Sequence, residues 1–207
     1  MLPFFENNDY SQNNLMDDFR YGALKSPEKP FYISSNASVS YGQTYEWAEK
    51  LTWIFKNVYG VQAGEHILVS TRNIEFFPPL LAALENIKAN VSMYSFMAPV
   101  EEIERAISLV NPAVFVTDNV KYLDALKGSN DDIKVLGIGV QFDEKHNMVD
   151  LLEHTPTLGE PIKSKSDDVP KLNLFSSGTT GKPKAIVNCT QSFRLSALHL
   201  IDSLAIG

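Results

Sequence analysis

The sequence predicts an α/β fold: a parallel sheet with helices on its faces. Three observations point there. Short β-branched and apolar runs recur at His66–Ser70, Val91–Tyr94, Ala113–Val116 and Lys134–Ile138. Segments of helical period separate them, and strands alternating with helices at this spacing build parallel sheets. Of the 207 residues 44% are hydrophobic and 21% charged, the balance of an ordinary globular chain with enough length for a sizeable core.

The elements follow in order. Residues 1–14 are Asn-rich and polar and are expected to form a loose tail. Leu15–Leu24 is expected to be a helix that ends before Pro27, and Phe31–Ile33 a short strand. Val39–Thr44 reads as a strand turning into a helix, with Thr44 as N-cap. The helix carries Trp47, Leu51, Ile54 and Val58 on one face, and Gly60 stops it. After the strand His66–Ser70 comes a helix over Ile74–Lys88, with Pro78 and Pro79 near its first turns. A helix over Glu101–Val110 places Val100, Ile103, Ile107 and Val110 on one face, with Glu101 and Glu102 at its positive end. Val120–Leu126 is expected to be another helix. Gly159–Val169, rich in Pro, Ser, Lys and Asp, reads as a linker and sets a linker near 159–170. Leu172–Phe175 and Ala185–Val187 are then strands flanking a Ser/Thr/Gly run, and Ser192–Leu204 a final helix.

Bulk properties narrow the function. The net charge of −7 argues against nucleic acid as a partner, because phosphate backbones are held by an excess of Lys and Arg. An anionic ligand would need a local device instead. The single cysteine, Cys189, reads as a packing residue and points to a reducing compartment. The N-terminus has no secretory pattern, and the longest apolar run, Phe76–Leu84, is too short to span a bilayer. The expected location is cytoplasmic or peroxisomal. His66, His146, His154 and His199 show no metal-ligand spacing.

One local device is present. Ser176-Ser177-Gly178-Thr179-Thr180-Gly181-Lys182-Pro183-Lys184 packs four hydroxyls, two glycines and two lysines into nine residues. Glycines let the backbone turn through positive φ and expose successive N–H groups to a polyphosphate. Hydroxyls add donors without bulk, and a lysine adds charge-assisted hydrogen bonds. A Walker A loop is excluded by counting: five residues after Gly178 stands Pro183, and five after Gly181 stands Ile186. The run also leads into apolar Ala185-Ile186-Val187 and not into a helix.

Phe175 through Lys184 resembles the signature of the AMP-binding, adenylate-forming superfamily, which contains acyl-CoA synthetases, 4-coumarate–CoA ligases and luciferases. Two segments support the resemblance. Ser40–Tyr45 before a helix is similar to an early family segment, and Ala83–Val91 followed by Glu101–Ile103 to a later one. Three positions depart from the pattern: Asn90 and Ala185 stand where glycine is usual, and Asn188-Cys189-Thr190 where relatives carry a His-containing turn. A left-handed turn at Asn90 would explain the first, since asparagine tolerates that conformation.

The resemblance implies a partial AMP-binding N-terminal domain over 15–207, made of a parallel-sheet αβαβα subdomain plus an incomplete second subdomain, without the C-terminal lid. It implies ATP, Mg2+ and CoA as cofactors and a carboxylic acid as substrate. The nucleotide contacts would be Ser176, Ser177, Gly178, Thr179, Thr180, Gly181 and Lys184, and no metal ligand falls in the chain. Only 26 residues follow Gly181, so the family's catalytic lysine would lie beyond the C-terminus. The expected function is ATP-dependent activation of a carboxylic acid through an acyl-adenylate by an acyl-CoA or aryl-CoA ligase, here as a truncated chain that is inactive alone. The alternative is a non-catalytic fragment with residual nucleotide binding or a partner-binding role. An uncovered sheet edge would favour self-association.

Overall fold

In the computed structural model, residues 14–72, 74–126, 133–139, 141–143, 146–156, 169–176, 184–190, 192 and 196 are described. The expected tail up to residue 13, most of the 159–170 linker and most of the final helix lie outside them.

Helix α1 (Leu15–Lys25) begins with a capping box. Asp17 N–H donates to Asn14 Oδ1 at 3.0 Å, and Asn14 N–H donates to Asp17 Oδ2 at 3.2 Å. Strands β1 (Pro30–Ile33) and β2 (Ser38–Ser40) form an antiparallel pair. Helix α2 (Tyr41–Trp53) is capped four residues earlier than the expected Thr44. Ser40 is the cap, its Oγ accepting from Gln43 N–H at 3.2 Å. Thr44 lies inside the first turn, buried, and its hydroxyl donates back to Ser40 O.

The apolar face of α2 holds through Leu51 and Ile54, which are fully buried, but Val58 is 46% exposed. A π-turn over Ile54–Val58 rotates less per residue than an α-helix and leaves Val58 off the face. Gly60 then stops the run at φ +71.

Strands β3 (His66–Ser70), β4 (Asn90–Met93), β5 (Val114–Thr117) and β6 (Lys134–Gly137) alternate with α3 (Phe77–Asn86), α4 (Val100–Val110) and a 3-10 helix over Val120–Leu126. Helix α5 (Met148–His154) has no counterpart in the sequence reading. Strands β7 (Lys171–Ser176) and β8 (Lys184–Cys189) complete one sheet of order β6-β5-β3-β4-β7-β8. Every neighbouring pair is parallel except β7 and β8. The mixed α/β architecture with a mostly parallel sheet is the one the sequence predicts.

Strand alternation divides the side chains between two layers. Ile67, Val69, Val91, Val114, Val116, Leu136 and Leu172 join Leu51, Ile54, Leu80, Leu84, Met148 and Leu152 from α2, α3 and α5. Leu68 and Phe115 point the other way, onto Ile103, Ala106 and Ile107 of α4 and onto Tyr122. Each fully buried Leu or Ile contributes about 1.5–3 kcal/mol. Helix α1 sits outside this layer, with Met16 and Phe19 against Ala48 and Ala82. The buried Glu85 fastens it, accepting from Leu15 N–H at 2.8 Å.

The left-handed residue after α3 is Lys88, at φ +62, not Asn90. Ala89 N–H donates to Leu84 O and Lys88 N–H to Glu85 O, both at 3.0 Å, so the helix closes in a Schellman motif with lysine where glycine is usual. Lys88→Gly is expected to stabilise the fold by roughly 0.5–1 kcal/mol, the relief of left-handed strain less the entropy glycine adds to the unfolded chain. Urea unfolding measures this, and a loss of stability would contradict the assignment.

Candidate functional site

Topology singles out the carboxyl end of the sheet. The chain leaves β3 for α3 on one face and leaves β4 for α4 on the other. Between these strands the connections part, which is where open α/β sheets receive ligands. Strand β7 lies parallel to β4 on the side away from β3, so its carboxyl end opens at the same rim.

Here the Ser/Thr/Gly run is presented. Ser176, the last residue of β7, pairs with Lys184, the first of β8, and the register runs from there to Lys171 with Cys189. The run is therefore the loop of an antiparallel hairpin, held at both ends. Of the residues assigned to the nucleotide, Ser176 and Lys184 stand at its base. Ser177, Gly178, Thr179, Thr180 and Gly181 lie outside the described residues. Lys184 is exposed and free of the core.

Sequence reasoning did not find the groups that support this base. Tyr94, just past β4, stacks on Phe175 with ring centroids 4.9 Å apart, a contact across the two strands nearest the loop. Burial, reinforced by the Glu102 carboxylate, pushes the Tyr94 phenol up to about 12, so it stays protonated and donates to Glu102 Oε2 at 3.0 Å. The chain after Tyr94 is pinned too. Ser70 Oγ donates to Ser95 O at 3.1 Å, and the Tyr122 hydroxyl lies 2.8 Å from Phe96 O and 2.9 Å from Ala98 O. On the β5 side, Arg72 Nε meets Asp118 Oδ2 at 2.5 Å, with the aspartate side chain 4% exposed. The only sequence signal for this scaffold was the aromatic residue at each strand end.

Two cavities lie elsewhere. One of about 720 Å³ sits along β6, lined by Tyr59, Lys134, Phe142 and His146 among others; one of about 640 Å³ sits at the amino end, by His66 and Asn111. Neither is lined by a residue of β7 or β8. Among the described residues no group of three or more His, Cys, Asp or Glu stands together, and no helix is long and apolar enough to cross a membrane. Cys189 Sγ lies 2.8 Å from Ser192 Oγ.

A doubly wound sheet in which the Ser/Thr/Gly run joins two antiparallel strands, with a strand and not a helix after it, defines a class apart from the P-loop proteins. The family model described as "AMP-binding enzyme" matches residues 19–202, and the chain belongs to that family. No curated protein sequence matches it. Solved structures share the fold. VinN, at 16% identity, superposes with a TM-score of 0.76 over 93% of this chain and 47% of its own. The anthranilate CoA ligase AuaEII, in complex with anthranoyl-AMP, gives 18%, 0.76, 90% and 35%. The N-terminal domain of FACL13 from Mycobacterium tuberculosis, with bound inhibitor, gives 18%, 0.70, 85% and 44%. The chain thus spans half or less of the length of each.

Proposed function

We propose that this chain supplies the nucleotide-binding part of an ATP-dependent, AMP-forming acid–thiol ligase. The observation that carries the reading is the β7–β8 hairpin. In a chain of the AMP-binding family, it brings Ser176 and Lys184 together at the sheet rim beside the parting of β3 and β4.

In this reading the hydroxyls of Ser176, Ser177, Thr179 and Thr180, the backbone N–H groups around Gly178 and Gly181, and the Lys184 ammonium hold the β- and γ-phosphates of ATP. The α-phosphorus is left open to a substrate carboxylate. A carboxylate oxygen bonds to it, its bond to the bridging oxygen breaks, and pyrophosphate leaves with the electron pair. The chain contributes position and charge neutralisation. The acyl-adenylate would then pass its acyl group to the thiol of CoA, with AMP leaving. Mg2+ supplies further neutralisation on the polyphosphate when bound. The acid, fatty or aromatic, is set by residues this hairpin does not contain.

The span of the chain against its structural neighbours supports a second reading, in which the 207 residues alone bind nucleotide without turning it over. Among the described residues no strand pairs with the outer edge of β8, and Ile186 is 54% and Val187 61% exposed, which supports self-association. Calorimetric titration with ATP and ATP–pyrophosphate exchange against fatty and aromatic acids test both. ATP binding without exchange is the expected result. Absence of binding overturns the nucleotide reading, and robust exchange overturns the inactivity of the chain alone.

A further inference from the structure

The hairpin that carries the loop joins the rest of the sheet at one seam. Strand β7 has β4 on one side and its own hairpin partner β8, the sheet edge, on the other. The β4–β7 pairing is short: Val91 with Leu172, Ser92 with Asn173, Met93 with Leu174. A slip of one residue along this seam would move the loop by about 3.3 Å and turn every β7 side chain to the opposite face.

Side chains of two asparagines act on that seam. Asn90 Oδ1 accepts from Lys171 N–H at 2.9 Å, and Asn90 Nδ2 donates to Gly64 O at 2.7 Å. One carboxamide thus ties the first residue of β7 to the turn leading into β3, across 81 and 26 residues of chain. Further along, Asn173 Nδ2 donates to Ser92 Oγ at 3.0 Å, with Asn173 6% exposed and Ser92 fully buried. Asn173 Oδ1 has no partner among the described residues. A buried amide with half its capacity unused adds little stability, but it discriminates strongly between registers. A slip would move Asn173 into the layer of Leu80 and Leu84 and expel Leu172 from it.

We propose that Asn90 is a positioning residue for the phosphate loop: it locks the entry of β7 to β4 and β3, and with the Asn173–Ser92 pair fixes the register at which Ser176 and Lys184 reach the sheet rim. This role rests on the nucleotide reading above. The two hydrogen bonds make the asparagine a side-chain bridge at the start of an extended strand.

The test pairs amide hydrogen exchange with ATP titration on the full chain. Asn90→Ala is expected to speed exchange of the Lys171 amide about tenfold and to weaken ATP binding about five- to tenfold. Asn90→Asp keeps the acceptor for Lys171 N–H but loses the donor to Gly64 O, so it is expected to recover part of both losses. Ile54→Val, buried in the layer on the other face of the sheet from Asn173, serves as the control for stability loss and is expected to change neither. Unchanged Lys171 exchange in Asn90→Ala overturns the lock. Faster exchange with unchanged ATP affinity overturns its positioning role. If the wild-type chain binds no ATP, the nucleotide reading falls, and Lys171 exchange still decides the lock.

Discussion

Replacing Lys184 with alanine is expected to raise the dissociation constant for ATP about tenfold to a hundredfold. A charge-assisted hydrogen bond contributes roughly 1.5–3 kcal/mol, and each 1.4 kcal/mol is about a factor of ten. Lys184 is the first residue of β8, opposite Ser176, and it is exposed, so its removal leaves the core intact. The melting temperature should therefore stay at the wild-type value while affinity falls. Lys184→Arg should lose less, because charge is kept while the planar guanidinium spreads it differently. Titration calorimetry on the three proteins measures this, and equal affinities would remove Lys184 from the site.

Leu84→Ala is expected to cost about 3 kcal/mol of stability. Leu84 is fully buried in the layer where α3 meets α2 and the sheet, and its carbonyl accepts the outer hydrogen bond of the turn at Lys88. Its side chain anchors the segment that delivers β4, and β4 carries the hairpin. For a chain of this size the melting temperature should fall by roughly 6–12 °C. A loss below about 1 kcal/mol would mean that the layer repacks around the cavity and that α3 is not the anchor described here.

Local signals made much of the fold legible. The parallel strands read as apolar runs because β3 and β5 are buried on both faces, and α4 read cleanly because Ile103 and Ile107 repeat at helical period under Glu101 and Glu102. Elsewhere tertiary context decided. Ser40 and Thr44 are both competent caps, and the pairing of β2 with β1 settles which one starts α2. The π-turn at Ile54–Val58 leaves the period of the sequence unchanged while rotating Val58 outward. Helix α5 is only seven residues long, too short for its Met148 and Leu152 to declare a period. At Lys88 the strain is carried by a residue with no left-handed preference, so the sequence pointed to Asn90 instead.

For the candidate site, the loop stands out in the sequence because phosphate recognition would call for small residues, hydroxyls and lysine close together. Its surroundings do not. Tyr94 against Phe175, Arg72 with Asp118, and Asn90 with Lys171 all join residues far apart in the chain, and only the sheet order brings them together.

The central claim is that the β7–β8 hairpin is where this chain holds ATP. Hydrogen exchange of the whole chain with and without ATP and Mg2+ tests it most directly. The account predicts slowed exchange concentrated between Ser176 and Lys184 and in the flanking strands, with the cavity beside Tyr59 and His146 unchanged. Protection at that cavity with none in the hairpin would contradict it.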